Sequence, residues 1–481
     1  MRRPRPGRYR NARSRTRHAR RNPENRPAPP HRHPRGSRQP RRLARLRRVL
    51  LRHPPGHLGQ RRHAVSAPHP ASTLRRVAIT GMAGVTAFGN DWSAIKPRLQ
   101  ACRNAVVHMP DWDHVAGLNT RLAAPIPDFT LPAHYTRVQT RAMGRVAQLS
   151  TVATGHALVR AGLVGDPVLT GGQAGIAYGS STGSTAPIRD FGRLLNENDT
   201  GAITATTYVR MMPHTAAVNT GLFFGIRGRL IPTSSACTSG SQAIGYAAEA
   251  IRHGYQTVMI AGGAEELCVS EAVVFDTVFA TSLRNDAPET TPRPFDRDRD
   301  GLVVGEGAAT FILEDYEHAL ARGAVILGEV LGFATNCDAT HITQPNRDTM
   351  QACIHSAMMQ SGLAPEAIGF ISAHGTATDR GDVAESHATH ALFGERAPVA
   401  SLKSYFGHTL GACGALETWL TLEMAHDGWF APTINLENPD PACAPLDHVT
   451  GSGRHLDVEH IISNNFAFGG VNTSLVIRRH R

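Results

Sequence analysis

The sequence has little cysteine, almost no lysine and no long hydrophobic run. Its seven cysteines are odd in number and scattered over 481 residues, and no C-x-x-C pair occurs. That pattern excludes a zinc knuckle and argues against a disulfide framework. No apolar stretch reaches the length of about 18 residues that a membrane-spanning helix needs. Together these absences predict a protein of the reducing cytoplasm that does not enter a membrane.

Acidic residues are nearly absent from the first 74 residues. That segment holds 22 arginines and a single acid, Glu24, so its net charge is +21, whereas the whole chain carries +12. The other 407 residues are therefore net −9. The basic balance belongs to the N-terminal segment alone, and a uniformly basic, nucleic-acid-binding body is excluded.

Residues 1–74 are rich in Arg, Pro and His and poor in aromatic residues, which predicts a disordered extension. Three interpretations are open: an arm that binds nucleic acid, an organelle transit peptide, and an upstream extension translated from a start codon placed too early. The abrupt change to the strand-like V-A-I-T at 77–80 favours the third. We therefore expect no nucleic-acid partner.

From residue 75 onward, short apolar segments alternate with Ala-rich helical ones, which predicts an α/β architecture. The predicted strands are 77–80, 174–178, 257–261, 308–313, 325–333, 368–373 and 398–402, and the predicted helices are 145–162, 240–253, 348–361 and 411–426. Two of the helices are alike, because each is rich in Gly and Ala and begins near a reactive residue, Cys237 or His408. This weak internal echo suggests one active site between two similar halves.

Cys237 lies in I-P-T-S-S-A-C-T-S-G (231–240), at the start of a predicted helix. Unpaired backbone N–H groups and the helix dipole favour a thiolate there. They predict a pKa below the ordinary value of about 8.5. A buried, inert cysteine is the alternative, and it is the usual state of a free cysteine.

Two further segments carry side chains suited to the same chemistry. I-S-A-H-G-T-A-T-D (371–379) places His374 after a strand, with Thr376 and Thr378 projecting to one side. S-L-K-S-Y-F-G-H (401–408) contains Lys403 and His408. Lys403 is one of only two lysines among 51 basic residues, which indicates a position that needs a compact ammonium.

The sequence resembles the β-ketoacyl-acyl-carrier-protein synthases. Besides the segments above, the resemblance includes S-N-N-F-A-F-G-G-V-N (463–472), R-P-F-D-R-D-R-D-G-L-V-V-G-E-G (293–307) and P-T-I-N-L-E-N-P-D (432–440). The resemblance is to the elongation branch of the thiolase superfamily and spans 75–481. It implies a thiolase-like five-layer α-β-α-β-α fold of two fused pseudo-repeat halves, which we place at 75–325 and 326–481. It also implies a homodimer, with a heterodimer as the alternative.

The resemblance implies a decarboxylative condensation. Cys237 would hold the acyl chain as a thioester, with the backbone N–H groups of Cys237 and Phe468 as the oxyanion hole. His374 and His408 would stabilise the enolate that malonyl-acyl-carrier protein forms on losing CO₂. Phe468 would also gate the entry of the second substrate.

The supporting residues follow from the same resemblance. Lys403 and Glu417 would set the electrostatics of the site, and Thr376 and Thr378 would bind the phosphopantetheine that the acyl-carrier protein supplies. No metal and no other cofactor is expected. Asp276, placed in the loop after the Cys237 helix near the acyl pocket, favours a specialised polyene or polyketide-like chain. An arginine cluster at the mouth of the pocket would bind the acidic carrier.

Other functions remain open. A thiolase acting on coenzyme A esters is disfavoured, because it would show a second catalytic cysteine in place of the histidine pair. Cys413 is interpreted as packing. A non-catalytic partner subunit of a heterodimer is disfavoured by the presence of Cys237. The segment D-R-D-R-D-G-L-V-V-G-E (296–306) has four residues between Gly and Glu; a calcium loop needs about five.

Overall fold

The computed structural model describes residues 74–481, so the predicted disordered extension, apart from Leu74, lies outside the described residues. The boundary placed at 325/326 stays a prediction. The strands are β1 Val77–Val85, β2 Val107–His108, β3 Leu122–Ala124, β4 Ala174–Gly179, β5 Leu230–Thr233, β6 Val258–Glu265, β7 Val304–Gly305, β8 Gly307–Asp315, β9 Gly328–Cys337, β10 Ile368–Ser372, β11 Pro398–Ala400, β12 Trp429–Phe430, β13 Asp447–His448, β14 Arg454–His455, β15 His460–Ala467 and β16 Val471–Arg479.

The α-helices alternate with these strands, as the sequence predicts. They are α1 Trp92–Gln100, α2 Arg137–Thr140, α3 Arg145–Ala161, α4 Pro167–Thr170, α5 Ala186–Glu197, α6 Thr207–Met211, α7 Thr215–Phe224, α8 Ser239–Arg252, α9 Val269–Asp276, α10 Tyr316–Ala321, α11 Arg347–Ser361, α12 Asp379–Phe393, α13 Lys403–Phe406 and α14 Cys413–Asp427. None of the helices in the described part of the chain has the length and hydrophobicity to cross a membrane.

Eleven strands are hydrogen-bonded in the order β13-β11-β10-β15-β16-β9-β1-β8-β6-β4-β5. Strands β4 and β6 pair in parallel, and β6–β8 and β8–β1 are antiparallel. The same orientations recur in the second set of strands, where β10 and β15 pair in parallel and β15–β16 and β16–β9 are antiparallel. Within the described residues, strand pairing joins the two sets only between β1 and β9, at Ala78–Glu329 and Ile79–Gly328. This repetition confirms the predicted α/β class and the two similar halves.

Helices α8 and α14 lie between the two halves and contact strands of both. They approach closely, since a Cβ atom on Gly240 of α8 would lie 2.9 Å from the backbone nitrogen of Ala415 on α14. Apolar side chains fill this central layer, among them Ile244, Phe333 and Trp419. Helices α3 and α7 cover the outer face of one half, and α11 and α12 cover the other. The result is a five-layer α-β-α-β-α arrangement with two buried helices that begin near each other.

Candidate active site

Cys237 lies on a tight turn between β5 and α8. Ala236, directly before it, has φ of 51°, a left-handed conformation that residues with a side chain rarely adopt. Such strain is typical of functional sites, where the surrounding structure holds it in place. Helix α8 begins two residues after Cys237, at Ser239. The sulfur therefore lies at the N-terminal end of a helix whose residues are mostly buried.

The predicted lowering of the Cys237 pKa is wrong for the free protein. Burial raises the pKa of this thiol to about 12, although Lys403 and the backbone N–H of Phe468 act in the opposite direction. Only 4% of Cys237 is exposed, and the loss of water around a thiolate outweighs the charge of Lys403 and the backbone N–H groups of Phe468 and Cys237. The thiol is therefore protonated at neutral pH, and its deprotonation has to accompany attack on a substrate.

His408 faces the Cys237 sulfur. Its Nε2 lies 2.9 Å from Sγ of Cys237, and its Nδ1 accepts a hydrogen bond of 3.3 Å from the backbone N–H of Leu410. Because Nδ1 acts as an acceptor, the ring proton of the neutral imidazole sits on Nε2. Burial, and then the charge of Lys403, hold the pKa of His408 well below its usual range. His408 is therefore a neutral N–H donor that points into the site.

His374 presents a second donor of the same kind. Its ring lies 5.2 Å from the His408 ring, centre to centre, at an interplanar angle of 86°. Its Nδ1 accepts from Nζ of Lys403 at 3.2 Å, which leaves the proton on Nε2. Burial, Lys403 and His408 all lower the pKa of His374. The backbone N–H of His374 donates to Glu385, whose pKa burial raises to about 8.

Lys403 and Glu417 form a buried ion pair beneath the two histidines. Their side chains are 1% and 2% exposed. Burial alone would lower the pKa of Lys403, but Glu417 holds it above its usual value, so the ammonium stays charged. The second oxygen of Glu417 accepts a 2.9 Å hydrogen bond from Nδ2 of Asn465 on β15. Sequence reasoning missed Asn465, because the segment 463–472 served only as a family motif and the face that each of its residues occupies was not considered.

A cavity of about 520 Å³ opens onto these residues and reaches Cys237. Thr376 and Thr378 line it, with their hydroxyl oxygens 2.9 Å apart. Phe468 lies in its wall and packs against Phe275, 5.1 Å between ring centres. After Phe468 the chain turns through two glycines with φ of 88° and 73°. The structure thus brings Cys237 together with the predicted histidines, threonines and gate residue.

The chain matches the family described as beta-ketoacyl synthase in both halves, the N-terminal domain over residues 74–319 and the C-terminal domain over 327–437. The chain belongs to the beta-ketoacyl synthase family. A 3-oxoacyl-[acyl-carrier-protein] synthase 2 from Synechocystis is 36% identical over 413 residues, covering 85% of this chain and 99% of that protein.

Solved structures agree with this assignment. A beta-ketoacyl synthase from Burkholderia phymatum matches with a TM-score of 0.84 and 57% identity, over 85% of this chain and 100% of that chain. The ishigamide ketosynthase/chain length factor matches with a TM-score of 0.77 and 32% identity, again over 85% and 100%. The predicted thiolase-like fold, the family and the acyltransferase class are therefore confirmed.

The expectation for Asp276 in this synthase is wrong. Asp276 is the last residue of α9 rather than a loop residue, and it does not line the cavity. Its carboxylate accepts hydrogen bonds from the backbone N–H groups of Asn119 and Thr120, the Asn119 side chain and the Thr281 hydroxyl. Asp276 ties α9 to the chain before β3. The neighbouring Phe275 lines the cavity instead, and the argument for a specialised acyl chain loses its basis.

The expected arginine cluster is also not found among the residues that line the described cavity. Arg299 is 3% exposed and is ion-paired with Asp440 at 2.6 Å. Arg380 is exposed, but the exposed Asp379 precedes it. The lining also includes exposed apolar side chains, with Phe279 89% and Ile342 69% exposed. The outer part of this cavity wall thus carries exposed apolar side chains where an arginine cluster was expected.

Two groups in the synthase site have the atoms of a metal ligand set. One is Cys237 with both histidines, and the other is His374 with Cys413 and Glu417, each with its atoms within 4.8 Å. Thiolate and imidazole are ligands that zinc prefers. However, Nδ1 of each ring already accepts a hydrogen bond, so Nε2 carries a proton and has no lone pair to offer. The charge of Lys403 beside His374 further disfavours a cation.

Proposed function

We propose that the protein is a β-ketoacyl-acyl-carrier-protein synthase that condenses an acyl group held on Cys237 with malonyl-acyl-carrier protein. The observation that carries the proposal is the pair of neutral imidazoles beside the buried sulfur. Nε2 of His408 lies 2.9 Å from Sγ of Cys237, and a ring nitrogen of His374 lies within 4.8 Å of it. An enolate oxygen needs two fixed donors in a water-poor site, and this arrangement supplies them. No metal and no redox cofactor takes part in the proposed reaction.

The first half-reaction acylates the enzyme. The Cys237 sulfur attacks the thioester carbonyl of the acyl carrier, an S–C bond forms, and the phosphopantetheine thiol leaves with the proton that Cys237 gives up. The backbone N–H of Phe468 already approaches the sulfur, and with that of Cys237 it would hold the tetrahedral oxyanion. Thr376 and Thr378, which line the entry cavity, would bind the amides of phosphopantetheine.

The second half-reaction makes the carbon–carbon bond. The malonyl C–C bond breaks, CO₂ leaves, and the electron pair moves onto the thioester oxygen, where His374 and His408 donate hydrogen bonds. The enolate carbon then attacks the acyl carbonyl on Cys237, and the C–S bond breaks to release the sulfur. Because both imidazoles start neutral, they stabilise the oxyanion without first losing a proton.

We also propose a homodimer. Strand β5 is the outermost strand at one edge of the sheet, and an exposed edge strand favours pairing with another chain. Leu230 on β5 is 43% exposed, and Leu222 on the adjacent α7 is 75% exposed. Light scattering should give about twice the 51.8 kDa of one chain. A monomer that associates only with a second, different synthase-like chain would favour the heterodimer seen in the ishigamide relative.

The proposed compartment is the cytoplasm. All seven cysteines lie in the described residues, and all seven are free thiols. Free thiols fit a reducing compartment.

The enzymatic proposal is tested on the full chain with acyl-acyl-carrier protein and malonyl-acyl-carrier protein. Intact mass and peptide mapping should show one acyl group on Cys237, and added malonyl-carrier should convert it to a β-ketoacyl-carrier product with release of CO₂. Cys237→Ala should abolish the adduct and the product. An adduct without condensation would instead indicate an accessory subunit, and no adduct at all would overturn the proposal.

A further inference from the structure

Asn465 is fully buried beside His374 and Glu417, and the reaction described above assigns it no role. It lies near the end of β15, where successive side chains alternate between the two faces of the sheet. Its neighbour Asn464 projects to the opposite face, where its Oδ1 accepts from the Ser474 hydroxyl at 2.8 Å. Both asparagines are fully buried. The register of β15 therefore places one amide in the active site and the other outside it.

The amide nitrogen of Asn465 contacts two members of the catalytic group. Nδ2 donates to Glu417 Oε2 at 2.9 Å and approaches His374 Nδ1 at 3.5 Å. Lys403 makes the matching pair of contacts, to the other oxygen of Glu417 and to the same ring nitrogen of His374. Glu417 thus has one donor on each oxygen. The lone pair of His374 Nδ1 lies between an ammonium and an amide.

The orientation of the amide is fixed by its surroundings. The nitrogen faces a carboxylate and a ring nitrogen that accepts, and a flipped amide would place its oxygen against both. The oxygen instead packs against Gly414, where a Cβ atom would come within 2.7 Å of it. Asn465 Oδ1 has no hydrogen-bond partner among the described residues. A buried acceptor without a partner costs free energy. The two contacts that Nδ2 makes as a donor would offset that cost.

We propose that Asn465 is a positioning residue for decarboxylation, which holds Glu417 and the His374 ring so that His374 Nε2–H points at the enolate oxygen. The inference rests on the proposed function and adds a residue to it. Asn465 does not touch the sulfur of Cys237. Its nearest link to that residue is Cys413, whose sulfur lies 3.7 Å from Nδ2 and 3.2 Å from the Cys237 carbonyl oxygen, so acylation should depend on Asn465 far less than decarboxylation does. The two half-reactions therefore separate its role from general support of the site.

The test compares Asn465→Leu, which keeps a similar volume and removes both donor hydrogens, with the matched control Asn464→Leu on the other face of β15. For Asn465→Leu we expect kcat for malonyl-carrier decarboxylation to fall about 10- to 100-fold, the usual effect of losing a hydrogen bond to a charged group. KM for malonyl-carrier and the rate of Cys237 acylation should stay within about threefold of the parent. Asn464→Leu should leave the ratio of the decarboxylation rate to the acylation rate as it is in the parent, whatever its effect on melting temperature.

Equal losses in both half-reactions, or no loss in either, would overturn the positioning role. Asn465→Asp, which keeps the shape and replaces the donor with an acceptor, should reproduce the loss if Asn465→Leu folds poorly. Crystal structures of parent and variant give a readout that does not need activity. Rotation of His374 and Glu417 in the variant supports the proposal even if the parent proves not to condense acyl chains, and unmoved side chains oppose it.

Discussion

Removing the Lys403 ammonium should make the stability of the protein depend on pH through the carboxylate left behind. Lys403→Met leaves Glu417, 2% exposed, without its cation. An unpaired buried charge costs about 3–5 kcal/mol. Glu417 can avoid that cost by binding a proton, because burial already raises its pKa above the usual value. The cost therefore appears only where the pH is high enough to ionise the group.

The sign follows from proton linkage. With a raised pKa, folded Glu417 binds more protons than the unfolded chain above a pH of about 4.3, so stability falls as pH rises toward the folded pKa, by about 1.4 kcal/mol per unit. The parent keeps the cation beside Glu417, so its own stability changes less with pH. Between pH 5 and pH 8 the gap between parent and Lys403→Met should therefore widen, by at most about 3 kcal/mol, the lower end of the cost of an unpaired buried charge. With unfolding entropy near 2 cal/mol/K per residue over about 400 residues, this corresponds to about 3–4 °C in melting temperature.

The assay is thermal melting of parent and variant at pH 5 and pH 8, at one scan rate. Lys403→Met with Glu417→Gln is the matched control, because it removes the titrating group and should make the gap independent of pH. A parent-to-variant gap that is the same at both pH values would mean that Glu417 does not take up a proton when its cation is removed. A double variant that keeps the pH dependence of Lys403→Met would mean that this dependence does not come from Glu417.

The pKa shifts and contacts of the protein also determine the expected behaviour of Cys237, of the two histidines and of Asp276. Alkylation of Cys237, followed on its own peptide by mass spectrometry, should keep accelerating above pH 9, because its raised pKa leaves little thiolate at neutrality; a plateau by pH 8 would contradict this. Malonyl decarboxylation should persist from pH 7.5 down to pH 6, since His374 and His408 protonate only below their lowered pKa values; an acid limb centred at pH 6.5 would oppose neutral donors. Asp276→Ala should destabilise the fold by about 2–4 kcal/mol in denaturant melts, by orphaning buried N–H groups. Its product chain length should be that of the parent.

Much of the central fold could be predicted because its elements are buried and apolar. The segments 174–178, 257–261 and 308–313 lie on β4, β6 and β8, where composition alone marks a strand. Helix α12 was not predicted, since its acidic, His and Thr residues carry no clear apolar stripe. Strand β5 was missed for a related reason: it is short and largely exposed at the sheet edge, so burial does not shape its sequence.

Site residues with a local sequence signal were predicted, and those whose roles depend on distant parts of the chain were not. Cys237, His374, Lys403 and His408 were found because each occurs in a local segment with its own chemical signal. Asp276 was misplaced because its partner Asn119 lies 157 residues away in the chain, and nothing near position 276 shows which way the side chain points. Asn465 was missed because its role depends on which face of β15 it occupies, which is set by pairing with β16.

The geometry of the site explains why position 403 holds a lysine in a chain that has only two. Lys403 contacts Glu417 and His374 Nδ1 with one nitrogen atom, and its charge lowers the pKa of both His374 and His408. The same charge works against the burial that raises the Cys237 pKa. A guanidinium would spread its charge over a planar fork that needs more room than this fully buried position provides. Burial keeps the two imidazoles neutral, and this one compact cation reinforces that effect while favouring the thiolate that the first half-reaction needs.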